Sequence, residues 1–216
     1  MAAANAEGIC VSEVRARLGA GSRRARLLAS VHRELWIFAA AIFLFNLHLV
    51  PGFSSWGLEP QTFLPDRVRA GEWWRLLAHP FVHVTWYHLL LDAGAFFLLY
   101  AGLEEKRSLK RVLLAAFCGA GSLVATLLTT PEVSTLGLCG LSGVAHGLMA
   151  ASALELMDRC RGPREQMQGA VCLALVVTKS IVEVLAGKCF LELLDFGLLG
   201  SPIPACHVGG VLGGIV

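Results

Sequence analysis

The sequence contains little charge. Only 16% of its 216 residues are Asp, Glu, Lys or Arg, and 56% are hydrophobic, whereas a soluble domain typically carries about 25% charged residues. Too few polar side chains are therefore available to cover a water-soluble protein of this size. The net charge is only +2, and the basic residues do not cluster as they do on surfaces that bind nucleic acid. We expect a membrane protein with no nucleic-acid partner.

Disulfide and metal-binding patterns are also absent. The seven cysteines are an odd number, scattered mostly within apolar runs, and no pair has the C-x-x-C spacing of a metal site. His79 and His83 are four residues apart, as metal ligands on a helix can be, but the glutamate of His-Glu-x-x-His is missing and Pro80 lies between them. We expect neither a metal nor another cofactor.

Long apolar runs are abundant. A bilayer core about 30 Å thick requires roughly 20 helical residues, fewer where polar flanks reach the interface. The runs predict an all-α, multi-pass membrane protein with six helices, the sixth of them short or truncated. They comprise Trp36–Val50, Leu89–Leu103, Val112–Thr129, Leu138–Met157, Ala170–Ala186 and Ile203–Val216. We expect a basic arm at residues 1–35 and a single transmembrane domain at residues 36–216.

The distribution of basic residues predicts the orientation. If the arm is cytoplasmic, alternating crossings place 13 Lys and Arg residues inside the cell and four outside. Cytoplasmic loops are enriched in Lys and Arg, so we expect a cytoplasmic N terminus. Ser142 and His207 would then both lie near the outer ends of their helices, at the same depth in the membrane.

Ser142 and His207 are the main candidates for chemistry, because ionisable residues in a bilayer are costly and often functional. Ser142 lies within Gly140-Leu141-Ser142-Gly143, where no bulky neighbour covers its Oγ. An imidazole within reach of a hydroxyl can take its proton during attack on a carbonyl and later protonate the leaving amine. The alternative is that Ser142 only forms an interhelical hydrogen bond.

Glycine spacing favours close contact between the fourth and sixth predicted helices. The fourth contains Gly143-x-x-x-Gly147, and the sixth contains Gly209-x-x-x-Gly213 and Gly210-x-x-x-Gly214. Small residues at this spacing let backbones approach closely in lipid. Such contact would bring a serine and a histidine together, although the glycines could equally serve packing alone.

Three further polar residues lie in the predicted helices. His146 follows Ser142 by four residues and so shares its helix face; it could compete as the base, but we interpret it as a supporting residue. Lys179 and Glu183 have the same spacing and predict an ion pair within the membrane. That pair could simply neutralise itself or could have a role beside the site.

From about Gly71 to Val216, the chain resembles the rhomboid intramembrane serine proteases. The resemblance rests on four motifs in the family's order. They are Trp74-Arg75, His79-x-x-x-His83-x-x-x-x-His88-x-x-x-Asp92, Gly140-Leu141-Ser142-Gly143 and His207-Val208-Gly209-Gly210. Within the family, Glu72–Leu77, Gly140–Gly147 and Lys179…Glu183…Gly187 are most similar to the bacterial rhombosortases, in which a histidine replaces a tyrosine at the position of His146.

This resemblance implies a six-helix bundle with a Ser142–His207 catalytic dyad, supported by His88, Asp92, His146 and Gly140 around the oxyanion. Asp92 stands where rhomboids usually have Asn, and an ionised carboxylate there would repel an oxyanion. The implied substrates are membrane-anchored secreted proteins with a C-terminal Gly-Gly motif, a transmembrane helix and a basic tail. The implied location is the bacterial inner membrane, among lipids, with the site facing the periplasm.

Two alternatives stay open at this stage. A rhomboid-like protein without activity could bind transmembrane segments without cutting them, and Asp92 together with the short sixth helix favours this. A transporter or channel could use the polar histidines as a path, but it would leave the Gly-Leu-Ser-Gly motif unexplained.

Overall fold

The computed structural model describes residues 33–53, 61–158, 161–190 and 202–216. Within these ranges the chain is all-α, and six helices of 11 residues or more correspond to the six predicted apolar runs. The longer helices are α1 (33–45), α4 (Trp86–Gly102), α5 (Ser108–Thr129), α7 (Ser142–Leu156), α8 (Pro163–Ala186) and α9 (Ala205–Ile215); the short ones are α2 (Pro65–Arg69), α3 (Arg75–Ala78) and α6 (Val133–Leu136). The arm predicted at residues 1–35 lies almost entirely outside the described residues.

The apolar surfaces of the bundle face outwards. Leu98, Leu128 and Leu185 are 77–80% exposed, and extensive apolar surface of this kind indicates contact with lipid. Helices α5 and α8, with 22 and 24 residues, are long and apolar enough to cross a membrane. The outward apolar surface and the two helices of membrane-spanning length show that the chain is an integral membrane protein. Helix α9 has 11 residues and spans only about 17 Å at 1.5 Å per residue.

The histidine-rich segment before α4 is bent away from it. Residues Arg75–Phe81 are inclined by 96° to α4, and Pro80 within them cannot donate a helical hydrogen bond. The three histidines of the motif, His79, His83 and His88, therefore do not lie along one straight helix face. His79 and His83 are buried, and His88 alone of the three lines the cavity described below.

Glycines let α9 lie directly against two neighbouring helices. A Cβ added to Gly210 would overlap the carbonyl oxygen of Gly143 in α7, and one added to Gly209 would overlap that of Gly121 in α5. The same close approach recurs one turn later along α9. Contact between α9 and α7 follows the predicted glycine spacing. Contact with α5 was not anticipated, because Gly121 lies in no Gly-x-x-x-Gly pair.

A buried cluster ties α1 to the rest of the bundle. Glu34 Oε2 accepts a hydrogen bond from Arg111 Nε of α5 (3.0 Å) and from the Tyr100 hydroxyl of α4 (2.7 Å). Arg111 also donates to the Tyr100 carbonyl oxygen (2.7 Å) and lies 4.4 Å from the centre of its ring. All three side chains are buried, so each charge keeps a partner where an isolated one would be strongly destabilising.

We expect Gly210→Ala to lower the midpoint of thermal unfolding in detergent, because the added methyl group would force α7 and α9 apart. Such overpacking typically costs about 1–3 kcal/mol. Gly94→Ala is the matched control, since a Cβ at this glycine of α4 would meet no atom within 4 Å and alanine is the better helix former. Equal losses in the two variants would contradict the proposed role of the glycines.

Candidate active site

A cavity of about 450 Å³ lies beside the N-terminal end of α7, among α4, α7, α8 and α9. This volume falls within the range of roughly 300–1,000 Å³ that is usual for ligand pockets. Most of the lining is apolar. Its polar and ionisable side chains, apart from cysteines, are His88, Asp92, Ser142, His146, Lys179, Glu183 and His207. Both residues of the predicted dyad therefore line one cavity.

Ser142 is the first residue of α7, and its Oγ lies 3.7 Å from the Sγ of Cys206. Cys206 directly precedes His207 at the start of α9. Within the described residues no hydrogen bond joins Ser142 Oγ to His207. Catalytic hydrogen bonds are often long in the free enzyme and tighten when substrate binds. The structure brings the predicted pair to the same cavity without bonding the two side chains.

His207 has a partner that the sequence did not assign to the site. Its Nδ1 lies 2.8 Å from Glu183 Oε2, and the Glu183 side chain is 0% exposed. An ionised carboxylate can only accept a hydrogen bond, so Nδ1 carries the proton and, in the neutral ring, Nε2 holds the lone pair. Glu183 could have been assigned from sequence only by placing α8 against α9.

Lys179 completes a partly buried polar network with Glu183. Its Nζ lies 2.8 Å from Glu183 Oε1, which confirms the ion pair predicted from their spacing. The same Nζ lies 2.9 Å from His146 Nε2. Glu183 Oε1 additionally accepts a hydrogen bond from the Phe190 N–H (2.9 Å). The ion pair is thus part of the cavity wall and does not stand apart from the site.

Both ring nitrogens of His146 are occupied. Nδ1 donates to the Ser142 carbonyl oxygen (2.7 Å), and Nε2 accepts from Lys179 (2.9 Å). Its ring stacks on that of His207, with centroids 4.0 Å apart and planes inclined by 13°. In this arrangement His146 has no free lone pair for the Ser142 proton. It instead fixes the ring of His207 from one side.

His146, Glu183 and His207 are close enough together to hold a metal ion, with ligand atoms within 4.8 Å of one another. Two features of the site disfavour this. The two imidazole rings are nearly parallel, so their in-plane lone pairs do not converge on a common point. The Lys179 ammonium also already lies against both His146 and Glu183, where a cation would bind.

His88, Asp92 and Gly140 lie close together, and the first two line the same cavity as Ser142. Asp92 Oδ2 is 3.2 Å from His88 Nε2 and 3.6 Å from His83 Nε2. The Val84 N–H approaches His88 Nδ1 (3.5 Å), which leaves Nε2 as the nitrogen that carries the proton. Gly140 has φ +99°, and a Cβ there would lie 2.8 Å from both His88 Nε2 and Asp92 Oδ2.

The Rhomboid domain family model matches residues 70–216. The chain belongs to the rhomboid family. The match covers α3 to α9 and thus every residue of the predicted site, and it confirms the resemblance drawn from the four motifs. The family is one of intramembrane proteases that act on transmembrane substrates. A search of curated proteins finds no match to this chain.

We expect Gly140→Ala to slow covalent labelling of Ser142 by a fluorophosphonate by at least tenfold, because the new methyl group would displace His88 and Asp92. Gly71→Ala is the matched control. Gly71 has a similar φ of +104°, and a Cβ there would meet nothing within 4 Å. Both variants should lose stability through backbone strain, of order 1–3 kcal/mol. Labelling that slows equally in both would mean that strain alone is responsible.

Proposed function

We propose that this rhomboid protein is an intramembrane serine endopeptidase, with Ser142 as the nucleophile and His207 as the general base. The observation that carries the proposal is that both side chains line one cavity while the Nδ1 proton of His207 is held by Glu183. With that proton fixed, Nε2 is the basic atom of the ring. His146 is the competing base on the same helix, and its two nitrogens are already bonded.

The reaction follows from these roles. Ser142 Oγ attacks the scissile carbonyl carbon while its proton passes to His207 Nε2. When the tetrahedral intermediate collapses, the C–N bond breaks and the leaving amine takes that proton. Water then attacks the acyl-enzyme, giving its proton to Nε2, and the same histidine returns the proton to Ser142 Oγ as the acid product leaves. His207 ends the cycle neutral.

Two donors are available for the oxyanion. The Ser142 N–H lies at the first position of α7, where helical N–H groups have no partner within the helix, and the His88 Nε2–H lines the same cavity. Removal of one such donor typically costs about 10²–10³ in kcat. The Gly140 N–H donates instead to the His79 carbonyl oxygen (3.1 Å) and is therefore not a donor to the oxyanion. We assign Gly140 the role of leaving room for His88 and Asp92, which a side chain at this position would displace.

Asp92 acts through His88 in this proposal. Its Oδ2 lies 3.2 Å from His88 Nε2 and 3.6 Å from His83 Nε2 but accepts no hydrogen bond from the described residues, so the single His88 Nε2–H is left for an oxyanion. We therefore assign Asp92 the task of orienting His88 and do not assign it a direct bond to the oxyanion.

We also propose that the cavity faces the periplasm and that the N terminus is cytoplasmic. The loop at residues 103–107 leads into the segment that carries Lys106, Arg107, Lys110 and Arg111. This loop lies against the C-terminal end of α7, where Glu155 accepts hydrogen bonds from the Glu104 and Glu105 N–H groups. Arg161 pairs with Glu104 at the same end. The basic loops thus lie opposite to Ser142, as the positive-inside rule requires.

The protease domain in this proposal begins with α1 (described from residue 33), slightly before the boundary predicted at residue 36, rather than at residue 70. Its support is the buried contact of Glu34 with Arg111 and Tyr100, which makes α1 part of the packed bundle.

The substrates we propose are those implied by the rhombosortase resemblance: proteins anchored by a C-terminal transmembrane helix, with a Gly-Gly motif before it and a basic tail after it. His146 and the Lys179…Glu183…Gly187 pattern support this subgroup. His146, Lys179 and Glu183 all belong to the polar network of the cavity wall.

We expect membranes containing the protein to cleave a reporter with a Gly-Gly motif, a transmembrane helix and a basic tail, and Ser142→Ala to abolish cleavage. Ser180→Ala is the matched control, since Ser180 is buried in α8, bonds to the Val176 carbonyl oxygen (2.8 Å) and does not line the cavity. A reporter with Val-Val in place of Gly-Gly should be cut at least tenfold more slowly.

Cleavage that survives Ser142→Ala would exclude Ser142 as the nucleophile. If the unmodified protein neither cuts any anchored reporter nor reacts with a fluorophosphonate, the inactive protein that only binds transmembrane segments is the correct alternative.

A further inference from the structure

We propose that Glu183 is a positioning residue for His207, held in place by Lys179, so that the site works as a serine–histidine–carboxylate triad and not as a dyad. This inference rests on the proposed function, because it assigns a role to Glu183 in activating Ser142. It goes beyond that function in two ways. The Glu183 carboxylate is required for the reaction, and the Lys179 ammonium group is required to hold that carboxylate in place.

The hydrogen bonds of Glu183 direct it at His207. Oε2 accepts from His207 Nδ1 at 2.8 Å, while Oε1 accepts from Lys179 Nζ at 2.8 Å and from the Phe190 N–H at 2.9 Å. Two donors therefore hold one oxygen, and among the described residues the imidazole is the partner of the other. A carboxylate fixed in this way restricts the ring of His207 to one tautomer and one orientation.

The charges explain why Lys179 belongs to this unit. The Glu183 side chain is 0% exposed and that of Lys179 is 30% exposed. A lone buried carboxylate would be strongly unfavourable, and the ammonium group offsets its charge. When the Ser142 proton moves to His207 Nε2, the resulting imidazolium lies next to Glu183. The carboxylate stabilises this cation without itself taking the proton.

The position of Glu183 along its helix is otherwise a poor one for an acid. It lies in the last turn of α8, which ends at Gly187 in the left-handed conformation (φ +68°). The negative end of the helix dipole disfavours a carboxylate there. Places where a residue conflicts with local preference are commonly functional, and here the conflict is offset by the bond to His207.

The experiment measures the second-order rate of fluorophosphonate labelling of Ser142, and the thermal unfolding midpoint, for the full chain in detergent. Glu183→Gln should slow labelling by about 10²- to 10⁴-fold, by analogy with loss of the acid in other triads. It should also lower the midpoint, since it leaves Lys179 without its counter-charge. The matched control is Glu155→Gln, which removes a carboxylate bound to backbone N–H groups at the far end of α7 and should not alter the rate.

The double variant Lys179→Met/Glu183→Gln separates the two possible roles. Both charges are removed together, so the unfolding midpoint should recover, and under our proposal the labelling rate should stay low. If the double variant recovers both quantities, Glu183 is only a counter-ion for Lys179 and the proposal is wrong. If Glu183→Gln labels as fast as the unmodified protein, the proposal is also wrong.

Two further results keep the test decisive. Should neither variant fold, Glu183→Asp keeps the charge for Lys179 but withdraws the carboxylate from His207; slower labelling supports the positioning role and an unchanged rate overturns it. Absence of labelling in the unmodified protein would instead refute the proposed function itself, which is a different outcome from a Glu183 variant that retains activity.

Discussion

The close approach of α9 to α5 and α7 is the constraint on which the site depends. Helices pack in lipid without a hydrophobic driving force between them, so contact relies on van der Waals fit. Gly209 and Gly210 supply it by presenting bare backbone to carbonyl groups of the two neighbouring helices. This packing holds a helix of only 11 residues in the interior of the bundle. Its first turn, which carries His207, is thereby placed beside the first turn of α7, which carries Ser142.

Burial of charge is the second constraint. The charged and polar side chains of the site meet it by binding to one another. Lys179, Glu183, His146 and His207 each bond to at least one other member of the group. Any one of them alone would be costly in an apolar surrounding. Together they form a connected network that spans α7, α8 and α9, so the same bonds that stabilise the cavity wall also fix the histidine ring. A substitution that breaks one of these bonds should therefore affect both the stability of the bundle and the orientation of the His207 ring.

The sequence predicted those features that depend on periodicity and composition. Six apolar runs gave six helices, and the glycine spacing predicted the contact between α7 and α9. Ser142 and His207 were found because polar residues are rare in such runs. The role of Glu183 could not be found in this way, because its spacing from Lys179 already accounted for it as an ion pair. The bond to His207 joins residues 24 positions apart and depends on how α8 packs against α9. The sharp bend before α4 was missed for a related reason, since histidine spacing alone does not show where a helix is interrupted.

The stacked ring of His146 has a stereochemical consequence. One face of the His207 imidazole is covered, and the covering ring is itself tethered at both nitrogens. Among the described residues, the face of His207 opposite His146 and the edge of its ring are the sides from which a peptide in the cavity could reach it. If Ser142 is the nucleophile, as we propose, the stacked ring restricts the directions from which a carbonyl group can approach both its hydroxyl and His207 before any substrate is bound.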